Sequence, residues 1–125
     1  MLVYRIEHKD NNIGPYWNDD SYKRNNPAIR EMGIKHTNDN HPSMWNDCNQ
    51  YKIKDVEAYH CAFISLNQLS VWFEGWLQII HDNDYIIATY ETDDYRIGTY
   101  QVVFNKSSAT RIKEFSIPEL ILSLE

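Results

Sequence analysis

The most regular pattern of apolar and polar positions along the chain runs from His60 to Glu91. Apolar residues recur there at the i, i+3/i+4, i+7 spacing of one helix face, which predicts a single amphipathic helix over about residues 66–82. The residues of this stripe are Leu66, Leu69, Trp72, Phe73, Trp76 and Ile80. Ser65 and Gln68 match a capping box at the start of the helix, and Asn83 suits a left-handed residue at its end.

Strand patterns flank this helix on both sides. Tyr59–Ile64 is a mostly apolar run and Tyr85–Glu91 is rich in β-branched and aromatic residues, so both predict strands. Thr99–Asn105 and Ala109–Phe115 follow as two further strands, preceded by the link Asp93–Gly98. The chain after the helix is therefore predicted to be mostly sheet.

Shorter elements lie near the two ends of the chain. Leu2–Glu7 alternates between two faces, which predicts a strand. Asn26 and Pro27 are suited to the start of a short helix, and Gly33 to its end. A second capping box predicts a C-terminal helix over Glu119–Leu124.

This order of elements indicates an α+β fold, because strands follow one another after the main helix instead of alternating with helices. We predict one domain over residues 1–125, with a mixed, mostly antiparallel sheet, one main amphipathic helix and a short C-terminal helix. A long polar loop occupies the N-terminal half and lowers the mean hydropathy to -0.61. Lys52–Val56, near the end of this loop, is predicted to form a weak edge strand.

Composition and charge exclude several classes of protein. The net charge of -6 disfavours nucleic-acid binding, which requires a basic surface. An acidic surface suits a basic protein partner, nucleic-acid mimicry or plain solubility. No apolar run approaches the roughly 20 residues of a membrane span, and the N-terminus lacks the pattern of a secretion signal. With Cys48 and Cys61 as its two cysteines, the chain is predicted to be a soluble cytosolic protein with free thiols.

The side chains that favour transition metals do not form a recognised zinc motif. They are His36, His41, Cys48, His60 and Cys61. Their spacing matches no compact zinc pattern, so no metal site is predicted. Adjacent residues of a strand point to opposite faces, so His60 cannot act as a base for Cys61, which is predicted to be a core residue.

Arg5 and Glu7 share one face of the first predicted strand, and two interpretations stay open. The strand is exposed and the two residues take part in an ion pair, or Arg5 binds an anion on a strand that faces a cleft.

Aromatic residues in the polar loop are candidates for contact with a partner. Tyr16 and Trp17 follow directly after Gly14-Pro15, and Trp45 lies in a stretch without periodicity. Packing as a lid on the core is one interpretation. The other is a protein interface, where tyrosine and tryptophan provide efficient hot spots.

Three segments together resemble small ADP-ribosyltransferase-like proteins. They are a first strand with a central arginine, a strand–serine–helix unit and a pair of late strands, at Val3–Ile6, Ala62–Trp72 and Ile86–Phe104. The resemblance implies NAD as cofactor. It also implies catalytic roles for Ser65 and Gln101 and cofactor contacts from Tyr4, Arg5 and Tyr90.

The family can carry a carboxylate at the late-strand position of its site, whereas this chain carries Gln101 there. Glutamine can orient a ribose hydroxyl but cannot accept its proton. The resemblance therefore leaves open an active transferase, a nucleotide binder and a protein that binds only another protein.

The whole chain also resembles small bacteriophage and prophage proteins that begin with Tyr-Arg-Ile-Glu-His and carry a Gly-Pro-Tyr loop, here Tyr4–His8 and Gly14–Tyr16. This resemblance names no activity. Together with the acidic charge and the aromatic residues of the loop, it favours a non-catalytic phage accessory protein of the host bacterial cytosol. Its partner would be a host defence or nucleic-acid enzyme that it binds and inhibits, with no direct nucleic-acid or membrane contact. The alternative is an ADP-ribosyltransferase-like enzyme or NAD binder that modifies a host target.

Overall fold

The computed structural model describes residues 1–15, 27–36, 41–43, 47–48 and 58–124. The elements in chain order are β1 Leu2–His8, α1 Pro27–Lys35, β2 Tyr59–Ala62, α2 Leu66–Trp72, α3 Leu77–Asp82, β3 Tyr85–Glu91, β4 Tyr95–Ile97, β5 Val102–Asn105, β6 Thr110–Phe115 and α4 Ile117–Leu124. The predicted α+β class is confirmed. The predicted edge strand Lys52–Val56 and the predicted cap Asn26 lie outside the described residues.

The described strands form two antiparallel sheets of three strands each, in the orders β1-β3-β6 and β2-β5-β4. The sequence predicts one sheet. The break falls between β1 and β2, where the bridge from Tyr4 to Phe63 connects the sheets through two backbone hydrogen bonds of 2.8 Å.

The alternation along β1 and β3 directs side chains into two separate cores. Ile6 and Ile87 pack against the helices, together with Leu69, Phe73 and Ile80. Val3 and Tyr90 face the second sheet, where they pack with Ala62, Val102 and Phe104. β1 is therefore covered on both faces, which explains why Arg5 and Glu7 are buried on a strand that carries two charges.

The predicted helix over residues 66–82 is two helices, α2 and α3. The break contains Gly75 at φ +83°, a left-handed backbone conformation that ends the first helical segment. The apolar stripe keeps its role across the break, since Leu69, Trp72, Phe73 and Ile80 are all buried. The periodicity therefore predicts the buried face correctly, but it does not predict the break in the helix.

Substituting Gly75 with alanine should lower the free energy of unfolding by about 1–2 kcal/mol, the cost of a left-handed backbone in a residue with a Cβ. A Cβ at this position meets no atom within 4 Å, so the expected loss comes from the backbone and not from a collision. Urea unfolding followed by circular dichroism measures it. Gly75→Asn should lose less, because asparagine tolerates this conformation better, and equal losses would contradict the backbone explanation.

In both predicted capping boxes, the serine hydroxyl accepts a hydrogen bond from the backbone amide three residues later in the chain. Ser65 Oγ accepts a hydrogen bond of 3.0 Å from Gln68 N, although the Gln68 side chain accepts from Ile64 N instead of Ser65 N. Ser116 Oγ accepts from Glu119 N at 3.3 Å, and Glu119 Oε1 accepts from Ser116 N at 3.4 Å. Both serine caps are confirmed, although the C-terminal helix begins at Ile117 and not at the predicted Glu119.

Two predicted helix ends are wrong. α1 passes through Gly33 and ends at Lys35, because an isolated glycine inside a helix is tolerated at a cost of about 1 kcal/mol. Asn83 has a φ of -102°, and Asp84 takes the left-handed conformation with a φ of +68°. The Asn83 side chain instead donates a hydrogen bond of 2.8 Å to Ile79 O, which satisfies a carbonyl at the end of α3.

The region between β3 and β5 also differs from the prediction. The link Asp93–Gly98 contains β4, which pairs with β5 along its whole length. The predicted strand Thr99–Asn105 begins only at Val102. Its first three residues are not in the ladder because their backbone amides bind the Asp47 side chain.

Candidate functional site

An open groove of about 590 Å³ lies beside the start of α2. Its walls come from the turn before α2, from α2 itself, from His41 and from the loop between β4 and β5. Ser65, Asn67, Gln68 and Glu74 are its polar lining residues on the α2 side. The groove thus combines parts of the chain that are far apart in sequence.

Three exposed apolar side chains line this groove. Ile64 is 42%, Val71 63% and Tyr100 39% exposed, and each comes from a different element of the groove wall. Single exposed apolar residues are common on protein surfaces, but several gathered in one concavity indicate a binding surface. This convergence makes the groove the principal candidate site.

A stacked pair of histidines holds one wall of the groove against α2. The rings of His36 and His41 are parallel within 8° at a centroid distance of 3.9 Å. His41 Nε2 lies 2.7 Å from Trp72 O and carries the hydrogen, since a carbonyl can only accept. Burial, followed by the neighbouring His41, lowers the pKa of His36 to about 4, so the His36 ring is neutral at physiological pH.

Asp47 anchors the opposite wall of the groove. Its carboxylate accepts three backbone hydrogen bonds, from Thr99 N at 2.7 Å and from Tyr100 N and Gln101 N at 3.0 Å each. The Gln101 side chain donates a further hydrogen bond of 2.8 Å to Pro42 O. These contacts fix the backbone of the loop that presents Tyr100.

A second candidate site is a buried cluster of charged groups centred on Glu7. The Glu7 side chain has no exposed surface, and Arg5 Nε donates to its Oε2 at 2.9 Å. Tyr90 OH lies 2.9 Å from Oε1 and 2.8 Å from Oε2 and donates to this carboxylate. A carboxylate is buried at such a position only when it is paired and hydrogen-bonded.

Two further cations reach the same carboxylate from the chain after β5. Lys106 Nζ lies 2.9 Å from Glu7 Oε2, and Arg111 Nε lies 3.6 Å from Oε1. Lys106 Nζ also donates to Asn12 O at 3.0 Å, and Arg111 Nη1 donates to Glu114 Oε2 at 2.9 Å. We call Arg5, Glu7, Tyr90, Lys106 and Arg111 the charge cluster.

The charge cluster decides between the two interpretations of Arg5. The ion pair with Glu7 is present, but the strand face is buried, because Arg5 is only 6% exposed. Arg5 Nη1 donates to Cys61 O at 2.8 Å, and a Cβ at Gly14 would lie 2.7 Å from Nη2. The guanidinium is thus enclosed by the protein, and Gly14 is required for its close approach.

The pKa values of Tyr90, a member of the charge cluster, and of the neighbouring His60 are both shifted. Burial, followed by Arg5 and Lys106, lowers the pKa of His60 to about 4. Burial and the adjacent Glu7 carboxylate raise the pKa of Tyr90 to about 12. At neutral pH the tyrosine therefore remains a hydrogen-bond donor and the imidazole remains uncharged.

Comparison with known protein families gives one match, which covers residues 1–118 and is described as the Bacteriophage T4 Y00F protein. The chain belongs to this family. No curated protein and no solved structure matches it. The resemblance to phage proteins is therefore confirmed, and the ADP-ribosyltransferase resemblance stays a hypothesis.

The structure brings together two of the residues predicted to bind a cofactor. Arg5 and Tyr90 meet at Glu7 within the charge cluster. Tyr4 points to the opposite face of β1, where it packs against the helix-side core. Cys61, predicted to be a core residue, is partly exposed, whereas Cys48 is buried and burial raises its thiol pKa to about 12.

Neither of the two residues predicted to be catalytic belongs to the charge cluster, and Ser65 alone of the two lines the groove. Ser65 lines the groove, with its hydroxyl used as the cap of α2. Gln101 is 2% exposed and follows the groove residue Tyr100, with its amide bound to Pro42. Tyr16, Trp17 and Trp45 lie outside the described residues and stay predicted partner contacts.

Two structural features are absent from the described residues. No group of three or more histidine, cysteine, aspartate or glutamate side chains there is arranged to hold a metal ion. No helix within these ranges is long and apolar enough to cross a membrane.

Proposed function

We propose that this phage protein acts in the host bacterial cytosol by binding and inhibiting a host protein, without catalysing a reaction. The convergence of Ile64, Val71 and Tyr100 on one groove carries the proposal. Apolar side chains gathered in a concavity lose water when a partner segment covers them, and this provides binding free energy. The target would be a defence enzyme or a nucleic-acid enzyme of the host.

The acidic charge of this protein indicates which kind of partner segment would bind in the groove. Glu74 is an acidic residue on its lining, and the chain as a whole carries a net charge of -6. The partner segment should therefore present apolar side chains next to lysine or arginine. Electrostatic attraction of this kind mainly accelerates association and excludes acidic competitors.

The transferase alternative receives less support from the contacts of its three proposed site residues. Arg5 is occupied by Glu7 and Cys61, Ser65 caps α2, and the Gln101 amide binds Pro42. Each group would have to give up a hydrogen bond inside the protein before it could bind a nucleotide. Calorimetric titration with NAD and ADP-ribose tests this alternative directly, since heat of binding that Arg5→Ala abolishes would favour it.

The Val71→Glu variant should bind the host partner at least about tenfold more weakly, because a carboxylate replaces an apolar contact and loses its water when the partner covers it. Val71 is 63% exposed, so the substitution should leave folding intact. The measurement has two steps. Tagged wild-type protein captures the partner from host lysate for identification by mass spectrometry. Calorimetry with the purified partner then compares the dissociation constants of the variants.

Leu122→Glu is the matched control, because Leu122 is 70% exposed on α4 and does not line the groove. It should bind the partner as the wild type does. The proposal would be contradicted by a partner that binds Val71→Glu as tightly as the wild type. It would equally be contradicted if the activity of the identified host enzyme were unaffected by stoichiometric amounts of this protein.

A further inference from the structure

The charge cluster contains more positive than negative charge, in a protein whose total charge is -6. Three cations, Arg5, Lys106 and Arg111, lie within ion-pair distance of the single buried carboxylate of Glu7. Glu114, which is 59% exposed, pairs with Arg111 as a second carboxylate. Among the described residues, three cations therefore share two carboxylates in this network, which leaves an excess of one positive charge.

The three cations differ in their access to solvent. The Arg5 side chain is 7% exposed and uses Nε and Nη1 inside the protein, so it serves to hold Glu7. The side chains of Lys106 and Arg111 are 25% and 31% exposed. They approach the two different oxygens of the Glu7 carboxylate, so the two cationic groups lie close to each other.

We propose that Lys106 and Arg111 form a binding site for the phosphate group of a small molecule. Glu7 and Asn12 O position the lysine, and Glu7 and Glu114 position the arginine, so the two cations are ordered before the ligand arrives. A phosphate adds the negative charge that the network lacks. It takes the place of the exposed Glu114 carboxylate on Arg111 and leaves the buried contacts of Glu7 unchanged.

The residue types at this site suit a phosphate better than other anions. The planar fork of arginine binds two phosphate oxygens at once, and lysine adds a compact charge with rotatable donors. The net charge of -6 disfavours a long polyanion such as DNA or RNA, since such a ligand would be repelled by the rest of the surface. A free phosphate or a phosphate monoester is therefore the ligand class. The site is separate from the groove and does not depend on the proposed host-protein binding.

NMR or calorimetric titration with inorganic phosphate tests the site, with sodium chloride at equal ionic strength as reference. Wild-type protein should bind phosphate in preference to chloride. Lys106→Met and Arg111→Met should each raise the dissociation constant roughly tenfold, because each loses a charge-assisted hydrogen bond. Lys113→Met removes the same charge from a neighbouring position on β6 and should bind as the wild type does.

Glu114→Gln distinguishes a binding site from a purely structural ion-pair network. This variant frees the Arg111 guanidinium while the contacts of Glu7 remain, so it should fold normally and bind phosphate about two- to fivefold more tightly. A parallel titration with AMP identifies the source of the phosphate. Equal affinities mean that the phosphate group alone is recognised, and tighter binding of AMP means that a nucleoside also contacts the site. The proposal is overturned if phosphate binds no better than chloride, if Lys106→Met and Arg111→Met bind as the wild type does, or if Glu114→Gln shows no gain.

Discussion

Replacing Glu7 with glutamine should lower the free energy of unfolding by about 3–5 kcal/mol, the usual cost of removing one partner of a buried ion pair. The side chain of Glu7 has no exposed surface and accepts from Arg5, Lys106 and Tyr90 at 2.8–2.9 Å. Glutamine keeps the shape but removes the negative charge. It also turns an amide donor toward groups that are themselves donors, which leaves Arg5 buried without a counterion.

Chemical denaturation followed by tyrosine and tryptophan fluorescence measures this loss. Glu91→Gln is the matched control, because Glu91 is also a glutamate of sheet β1-β3-β6 and pairs with the N-terminal amine at 2.8 Å, but its side chain is 49% exposed. The control should lose no more than about 1 kcal/mol, as expected for a surface ion pair. Similar losses in the two variants would contradict the role given to Glu7.

The alternation of β1 predicts two of the five residues of the charge cluster. A period of two residues places Arg5 and Glu7 on one face, and their side chains do form an ion pair. Their burial could not be predicted from the strand alone, because charged residues are rarely buried unless paired. Tyr90, which lies 83 residues from Glu7 in the chain, is brought to it by the β1–β3 register, and no local pattern encodes that register.

Local interactions account for the other successful predictions. The serine caps of α2 and α4 connect residues three positions apart, so the sequence motif already contains both partners. The sequence does not predict the break at Gly75, because this break does not depend on local interactions. A glycine in a helix costs only about 1 kcal/mol, so tertiary packing decides whether the helix continues or ends.

The groove illustrates what sequence patterns leave out. Val71 lies on the exposed side of an amphipathic helix, where a single apolar residue has no predictive value. Its importance comes from Ile64 and Tyr100, which the fold places beside it. No sequence motif marks Asp47 either, because its partners are backbone N–H groups, which every residue except proline has.

Acidification from pH 6.5 to 4 should destabilise the protein through His36 and His60, by about 1–2 kcal/mol for each histidine after allowance for their partial exposure. Burial lowers the pKa of both rings from 6.5 to about 4. Between these two values the unfolded chain binds protons that the folded chain does not bind. The stabilisation is therefore complete above pH 6.5 and is lost as the pH falls through about 4.

The double variant His36→Gln/His60→Gln separates this effect from general acid denaturation. It removes both proton-binding sites, so its free energy of unfolding should fall less steeply than that of the wild type between pH 6.5 and 4. Denaturation at pH 7.5 supplies the reference, since any loss there reflects packing around the two rings and not proton uptake. The slope of the free energy of unfolding against pH is proportional to the difference in bound protons between the unfolded and folded states. The comparison therefore needs no assumption about contact energies. Parallel curves for the two proteins would show that these histidines are not the groups that titrate on unfolding.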